Sequence, residues 1–183
     1  SNSGNITIAE NAASGTVVSG LTLSGNDVDA NTTVTLSLEN NANGLFVLDG
    51  NQIKLAEGKA LDYETAISHT ITVKALSSDG SSVTQNFTIA VSNVNEAPVR
   101  SLTSIAATGT EDTEKVFTAA ELIANYTDPE GDTRSVASVG SATNGSVVLN
   151  LDGTVSFTPT PNYSGAASFS YTVKDASGLL GEA

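Results

Sequence analysis

Hydrophobic and polar residues alternate with a period of two along most of the chain. Runs such as Ile6-Thr7-Ile8 and Val155-Ser156-Phe157 place apolar side chains on one side of an extended backbone. Glycine-containing turns such as Asn43-Gly44 and Asn144-Gly145 separate the runs. The apolar runs lie at Ile6 to Ile8, Val17-Val18, Leu21 to Leu23, Val34 to Leu38, Phe46 to Leu48, Ile53 to Leu55, His69 to Val73, Val83 to Val91, Ile105, Val116-Phe117, Val136 to Val139, Val147 to Leu149, Val155 to Phe157 and Phe169 to Val173. Many short strands joined by tight turns predict an all-β chain built from antiparallel sandwiches.

The alternation is interrupted in the segment Asn93-Val-Asn-Glu-Ala-Pro98. A proline cannot donate to a sheet ladder, and it pushes the preceding residue into an extended conformation. We therefore predict two domains, residues 1–97 and 98–183, each long enough to bury its own core. The first domain has a long strand, Val83 to Val91, after its His69 to Val73 strand. No counterpart follows Phe169 to Val173, so we expect the last strand of the second domain to be missing. Either the fragment ends early, which we favour, or an external strand completes the exposed sheet edge.

One short segment predicts a helix. Thr118 is followed three residues later by Glu121, the spacing of a capping box, and then by helix-compatible residues up to Asn125. We expect one helical turn there.

The charge balance narrows the classes of partner. Seven Lys and Arg residues stand against 20 Asp and Glu residues, which gives a net charge of −13. This charge disfavours nucleic acid and anionic membranes and favours cationic partners. Because the chain has no Cys, disulfides and thiolate metal sites are excluded. No apolar run reaches the roughly 18 residues of a membrane span.

Eight carboxylates stand at strand ends, on turns or in the segment between the domains. They are Glu10, Asp62, Glu64, Glu96, Asp128, Glu130, Asp132 and Asp175. If the two sandwiches are joined end to end, these groups meet at one junction, where their like charges need neutralisation. Calcium takes six to eight oxygen ligands of this kind, whereas zinc and copper favour His or Cys, and His69 is the only such residue.

Several ordered motifs resemble those of a known family. The sequences AEN at Glu10, LDYE at Asp62 to Glu64, DVDAN at Asp27 to Asn31 and NVNEAP at Asn93 to Pro98 are similar to the calcium motifs of cadherin repeats. In the second domain the sequences TEDT, DPEGD, DGTVSFTP, NYSG and FSYTVKD resemble the cadherin-like repeats of large bacterial surface adhesins.

This resemblance implies two tandem Ig-like, cadherin-like Greek-key β-sandwiches joined end to end, with Ca²⁺ bound at their junction. The implied ligands are Glu10, Asp62, Glu64, Asn93, Asn95, Glu96, Asp128, Glu130, Asp132 and Asp175, and the residues of a further outer site are Asp27, Asp29 and Glu111. Asn93 and Glu96 stand where cadherins commonly have Asp, which weakens one ion site.

The leading functional hypothesis is a structural extender of a cell-surface adhesin, in which Ca²⁺ stiffens the linker for cell adhesion and biofilm formation. Its expected location is extracellular, on a bacterial surface, and its expected partners are neighbouring repeats and a host or partner-cell surface. The alternative is a module that binds a glycan or protein, although the sequence offers no evident aromatic patch for this.

An enzyme is the least favoured hypothesis, because the chain has no Gly-x-Ser-x-Gly nucleophile motif and few aromatic residues to line a sugar cleft. His69 shares strand phase with Ile71, which predicts a packing role. The glycine-flanked Asp49, Asp79 and Asp152 are expected to serve in turns.

Overall fold

The structure is a computed structural model that describes residues 5–26, 32–102 and 104–182. The chain forms two compact units that divide between Val94 and Asn95. The division lies inside the segment where the alternation stops, and the domain bounds of 97 and 98 stay a prediction. Nearly all regular structure is β-strand, so the predicted all-β fold in two tandem units is confirmed.

The described residues of the first unit form seven strands. They are β1 (Thr7–Ala9), β2 (Val17–Thr22), β3 (Val34–Asn40), β4 (Phe46–Asp49), β5 (Gln52–Leu55), β6 (Ser68–Ser77) and β7 (Ser82–Ser92). Hydrogen bonds connect them in the order β3-β6-β7-β1-β2-β5-β4. The pairing is antiparallel as predicted, except that β7 pairs in parallel with β1 while it pairs antiparallel with β6. In this order β7 lies between β6 and β1.

The core of the first unit follows the alternation in the sequence. Phe46, Ile53 and Ile71 are fully buried, because every second side chain of a strand points inward. In β7 the burial of Ile89 and Val91 alternates with half-exposed or exposed neighbours. His69 is half-buried with its ring at an edge of Phe46, at 6.1 Å between ring centroids, which confirms the packing role.

The described residues of the second unit form seven strands and one helix. They are β8 (Val99–Arg100), β9 (Lys115–Phe117), α1 (Ala119–Ile123), β10 (Tyr126–Thr127), β11 (Ser135–Thr143), β12 (Gly145–Leu149), β13 (Val155–Pro159) and β14 (Ser168–Lys174). Strand β8 pairs with β10, β11 pairs with β14, and β12, β13 and β9 form a three-stranded sheet. No helix among the described residues has the length and apolar character that a membrane crossing needs.

The helix α1 confirms the capping-box prediction. The Thr118 hydroxyl accepts a hydrogen bond from the Glu121 backbone N–H at 3.2 Å. In return, the Thr118 N–H donates to the Glu121 carboxylate at 2.7 Å. Two backbone donors at the start of the helix are satisfied in this way.

The core of the second unit is small. Leu122, Val136 and Val155 are buried, and half-buried aromatic side chains, including Phe169 and Tyr171, pack against them. The strand predicted at Ile105 is wrong, because residues 104–109 form no ladder with any described residue. The physical reason is the lack of a partner: β1 of the first unit is paired with β7, and the described part of the second unit has no such strand.

Candidate metal centre

Glu10 organises the acidic end of the first unit. It directly follows β1 and is 5% exposed. Its carboxylate accepts hydrogen bonds from the backbone N–H of Tyr63 at 2.7 Å and of Val94 at 2.6 Å. One buried side chain therefore holds the Asp62 to Glu64 loop and the end of the first unit in place.

The loop held by Glu10 carries two more predicted ligands. One oxygen each from Glu10, Asp62 and Glu64 lies within 4.8 Å of the other two. Asp62 accepts hydrogen bonds from the backbone N–H and the hydroxyl of Thr65, both at 2.8 Å, and these bonds lower the pKa of its carboxyl group. A further predicted ligand, Asn93, lies directly after β7 and is exposed. Three carboxylates therefore lie close together at this end of the unit, a suitable arrangement for a cation.

Asp128 and Glu130 form the centre of a second acidic group, which belongs to the second unit. Asp128 is 8% exposed, and its Oδ1 accepts the backbone N–H of the half-buried Asp132 at 2.9 Å. Glu130 Oε2 accepts the backbone N–H of Glu96 at 3.3 Å, and the two glutamates have carboxylate oxygens within 4.8 Å of each other. The short turn after β10 therefore brings these predicted ligands together.

Asp175 and Asn95 complete the group in the second unit. Asp175 is 3% exposed and accepts hydrogen bonds from the Asn95 side chain at 2.6 Å and from the backbone N–H groups of Gly178 and Leu179. Burial acts to raise the pKa of Asp175, but the hydrogen bonds from Asn95, Ser177 and this backbone outweigh it and lower the pKa. Asp175 is therefore held as an anion, and it fixes a residue of the segment between the units.

Two oxygens in this group test whether the site suits a cation. Asp128 Oδ2 and Glu130 Oε1 are buried, and neither has a hydrogen-bond partner among the described residues. A buried carboxylate oxygen without a partner is costly, so such atoms are rare and call for a counterpart. Calcium accepts carboxylate and amide oxygens in a flexible geometry. The residues present therefore fit Ca²⁺.

The sequence also predicted a further, outer metal site, formed by Asp27, Asp29 and Glu111. Asp27 and Asp29 lie outside the described residues. Glu111 is exposed, while its neighbour Asp112 accepts the backbone N–H of Asn162 at 2.7 Å. This bond resembles the one from Tyr63 to Glu10 in the first unit. The sequence interpretation named Glu111 and missed its neighbour Asp112, since the two adjacent acidic residues cannot be distinguished by residue type alone.

Two family models match the chain in tandem. Residues 4–92 match the model described as a cadherin domain, and residues 94–183 match the model described as a cadherin-like domain. No curated protein matches the chain.

Solved structures with the same fold come from several animals. Mouse Cadherin-23 EC22-24 has a TM-score of 0.55 at 24% identity, covering 99% of this chain and 60% of that one. Human Protocadherin-24 EC1-2, in its Form II crystal structure, has a TM-score of 0.62 at 19% identity, covering 96% and 85%. Drosophila N-cadherin EC1-4 has a TM-score of 0.57 at 16% identity, covering 97% and 45%. The chain thus spans about 60% of the first of these fragments, and the likeness is one of fold.

Proposed function

The chain is a tandem of two cadherin-type domains, which are adhesion-related extracellular modules, and we propose that it is a calcium-stiffened spacer of a larger cell-surface adhesin. Cadherin-type domains are structural modules rather than enzymes. The two proposed repeats are residues 1–97 and 98–183. The motifs of the second repeat favour a bacterial surface protein that acts in cell adhesion and biofilm formation.

The observation that carries this proposal is the pair of buried carboxylate oxygens without a partner, Asp128 Oδ2 and Glu130 Oε1. Asp128 also has no Lys or Arg within ion-pair distance in the described part of the chain. The unit therefore buries two carboxylate oxygens for which the described protein atoms provide no partner.

The proposed ligands form two groups, one in each unit. The first unit contributes Glu10, Asp62, Glu64 and Asn93, and the second contributes Asn95, Glu96, Asp128, Glu130, Asp132 and Asp175. When bound, Ca²⁺ would supply the positive charge that these oxygens lack and take them as ligands.

The residues of the chain prepare this site through hydrogen bonds. Glu10 receives two backbone N–H groups, one of them from Val94, and Asp175 receives the side chain of Asn95. Both bonds restrain the backbone near the Asn93 to Pro98 segment. Ion binding to the ordered arrangement alone stabilises that arrangement by about 4 kcal/mol per site when free calcium is about a thousand times the dissociation constant.

Calcium titration calorimetry on the full chain tests the binding. Asp128→Asn keeps the shape of the side chain and the acceptor for the Asp132 N–H, but it removes the charge. We expect calcium binding to weaken by about tenfold or more in this variant. Asp152→Asn is the matched control, because Asp152 is an exposed turn residue of the same unit that bonds to Thr154. Equal isotherms for the two variants would remove Asp128 from the site.

The contribution of the first unit needs its own variant. Glu64→Ala removes one of the three oxygens gathered within 4.8 Å. We expect one binding event to weaken or disappear, and Glu57→Ala, on an exposed turn of the same unit, to leave the isotherm unchanged. An unaltered isotherm for Glu64→Ala would exclude Glu64 as a ligand.

Small-angle X-ray scattering tests the stiffening separately from the binding. The scattering profile is expected to indicate a narrower range of shapes with calcium than with a chelator. If the profiles are identical while calorimetry shows calcium binding, the spacer role is refuted and the proposed metal site is not.

A further inference from the structure

Asn followed by Gly occurs twice in the chain, at Asn43-Gly44 and at Asn144-Gly145. The first pair lies between β3 and β4, and the second lies where β11 turns into β12. In such a pair the Gly backbone nitrogen can reach the carbonyl carbon of the Asn side chain, because Gly has no side chain to obstruct the approach. Both asparagines have a positive φ, of 57° and 56°, so their own backbone conformation does not distinguish them. The surroundings of the two pairs differ, however.

The side chain of Asn144 is held in place. Its Nδ2 donates one hydrogen bond to the Tyr163 hydroxyl and one to the Ala166 carbonyl, both at 2.9 Å. Its backbone carbonyl accepts a third bond from the Thr160 N–H at 3.0 Å. For the side-chain carbon to be attacked, the side chain would have to turn away from Tyr163 and Ala166 and lose both bonds.

Gly145 is tightly packed. A Cβ placed on Gly145 would overlap the Phe157 ring, and it would lie 2.6 Å from the Thr158 carbonyl oxygen. Gly145 also pairs with Pro159 in the ladder between β12 and β13. Its backbone is thus fixed by its neighbours, and its nitrogen is not free to move toward the Asn144 side chain.

The surroundings of Asn43 are open. Asn43 is exposed, and its side chain makes no hydrogen bond to any described residue. A Cβ placed on Gly44 would meet only the Cε of Lys59, at 3.9 Å, among the described residues beyond its chain neighbours. The Gly44 N–H donates to the Oδ1 of the exposed Asn41 at 2.9 Å. An exposed hydrogen bond therefore restrains the nitrogen that would attack, and water can replace Asn41 as its acceptor at small cost.

The loop around Asn43 is also strained. Ala42, Asn43 and Gly44 have consecutive positive φ angles of 54°, 57° and 83°. Gly adopts this region without steric cost, whereas Ala does not. The Ala42 N–H donates to the exposed Asn40 side chain at 3.0 Å. Local opening of the loop therefore relieves strain at Ala42 and breaks side-chain bonds that water can replace.

We propose that Asn43 is a site of spontaneous deamidation, and that the fold protects Asn144 from the same reaction. The Gly44 nitrogen attacks Cγ of Asn43. The N–Cγ bond forms, the Cγ–Nδ2 bond breaks, and the side-chain nitrogen leaves as ammonia with the proton given up by the Gly44 nitrogen. Water then opens the resulting cyclic imide at either of its carbonyls, which yields aspartate or isoaspartate. The reaction needs only water as a co-reactant, and it adds a negative charge to the loop.

The experiment incubates the full chain in mildly alkaline buffer made with ¹⁸O-labelled water, in the presence of a chelator. Tandem mass spectrometry of proteolytic fragments measures the conversion of each asparagine, and the ¹⁸O label marks carboxylates formed during the incubation. We expect Asn43 to be converted about tenfold or more faster than Asn144, because hydrogen bonds and close packing oppose the reaction at Asn144. Both aspartate and isoaspartate are expected at position 43.

Two changes to the surroundings of Asn43 separate the effect of the fold from that of the sequence. In urea we expect the rates at Asn43 and Asn144 to become similar, because the two Asn-Gly pairs then share the same local chemistry. In the folded chain Asn41→Ala should raise the rate at Asn43 by about fivefold, since it removes the acceptor of the Gly44 N–H. Asn51→Ala is the matched control, because Asn51 is an exposed asparagine in the turn between β4 and β5 of the same unit.

Tyr163→Phe tests the protection of Asn144. It keeps the ring but removes one acceptor of the Asn144 Nδ2, so the rate at Asn144 should rise by about fivefold while the rate at Asn43 stays the same. Equal rates for the two asparagines in the folded wild type would overturn the proposal. A difference that persists in urea would also overturn it, because the fold would then not be its cause. Aspartate without isoaspartate at position 43 would exclude the cyclic imide.

Discussion

Replacing Glu10 with Gln should destabilise the first unit even when no calcium is present. The Glu10 carboxylate is buried and accepts two backbone N–H groups, at 2.6 and 2.7 Å. Gln has the same shape but retains only one acceptor oxygen, and it turns an NH₂ group toward the other N–H. One charge-assisted bond is lost, and one buried donor is left without a partner.

The size of the effect follows from these two contacts. Hydrogen bonds to charged groups contribute about 1.5–3 kcal/mol, and an unsatisfied buried donor costs about 1–3 kcal/mol. Both figures describe the loss of the same hydrogen bond and are not added, so we expect the free energy of unfolding to fall by about 2–3 kcal/mol. For a unit of this size that corresponds to a Tm lower by roughly 10–20 °C.

The assay is urea unfolding in the presence of a chelator, followed by NMR signals of the imidazole of His69. The chain has one His, and it lies in β6, so these signals report the first unit alone. Glu57→Gln is the control, because it makes the same change on an exposed turn. If the two variants unfold at the same urea concentration, Glu10 does not hold the loop and the end of the unit as argued.

Three further predictions follow from local contacts. Thr118→Ala removes the N-cap side chain of α1 and should lower the free energy of unfolding by about 1 kcal/mol. An unchanged urea midpoint would contradict the capping role. Ile53→Ala should lower the free energy of unfolding by about 2–5 kcal/mol, because Ile53 is fully buried. Val47 is 43% exposed, so Val47→Ala should lower it much less. Similar losses for the two variants would contradict the assigned core. Hydrogen bonds hold the pKa of Asp175 below 3.8 against the opposing effect of burial. The ionised Asp175 therefore stabilises the fold above pH 3.8, and this stabilisation is lost as the pH falls through the lower pKa of the folded state. We expect the urea midpoints of unfolding of the wild type and of Asp175→Asn to converge in acid, and midpoints that stay apart would contradict this.

Features that depend on neighbouring residues could be predicted from the sequence. The alternation identified most strands and their buried faces, because successive side chains of a strand point to opposite sides whatever the partner strand is. Thr118 and Glu121 predicted the helix start, because a capping box closes within four residues. The nature of the acidic residues also indicated a cation with oxygen ligands. These features need no knowledge of the rest of the fold.

Pairing between distant segments could not be predicted in this way. The alternation at Ile105 is that of a strand, yet no strand forms there, because pairing requires a partner that the described residues do not provide. The parallel pairing of β7 with β1 is likewise set by the position of β7 in the whole sandwich.

By itself, the sequence determined an all-β chain in two tandem units with acidic residues at strand ends and turns. Only the tertiary structure decided which of those carboxylates are held by hydrogen bonds and which keep an oxygen without a hydrogen-bond partner. Glu10 and Asp175 are held by backbone or side-chain donors, whereas Asp128 and Glu130 each keep one buried oxygen without a partner. It also showed that Asp112 makes the bond that resembles that of Glu10. The reason is that burial and hydrogen bonding depend on atoms brought together from far along the chain, which residue spacing does not specify.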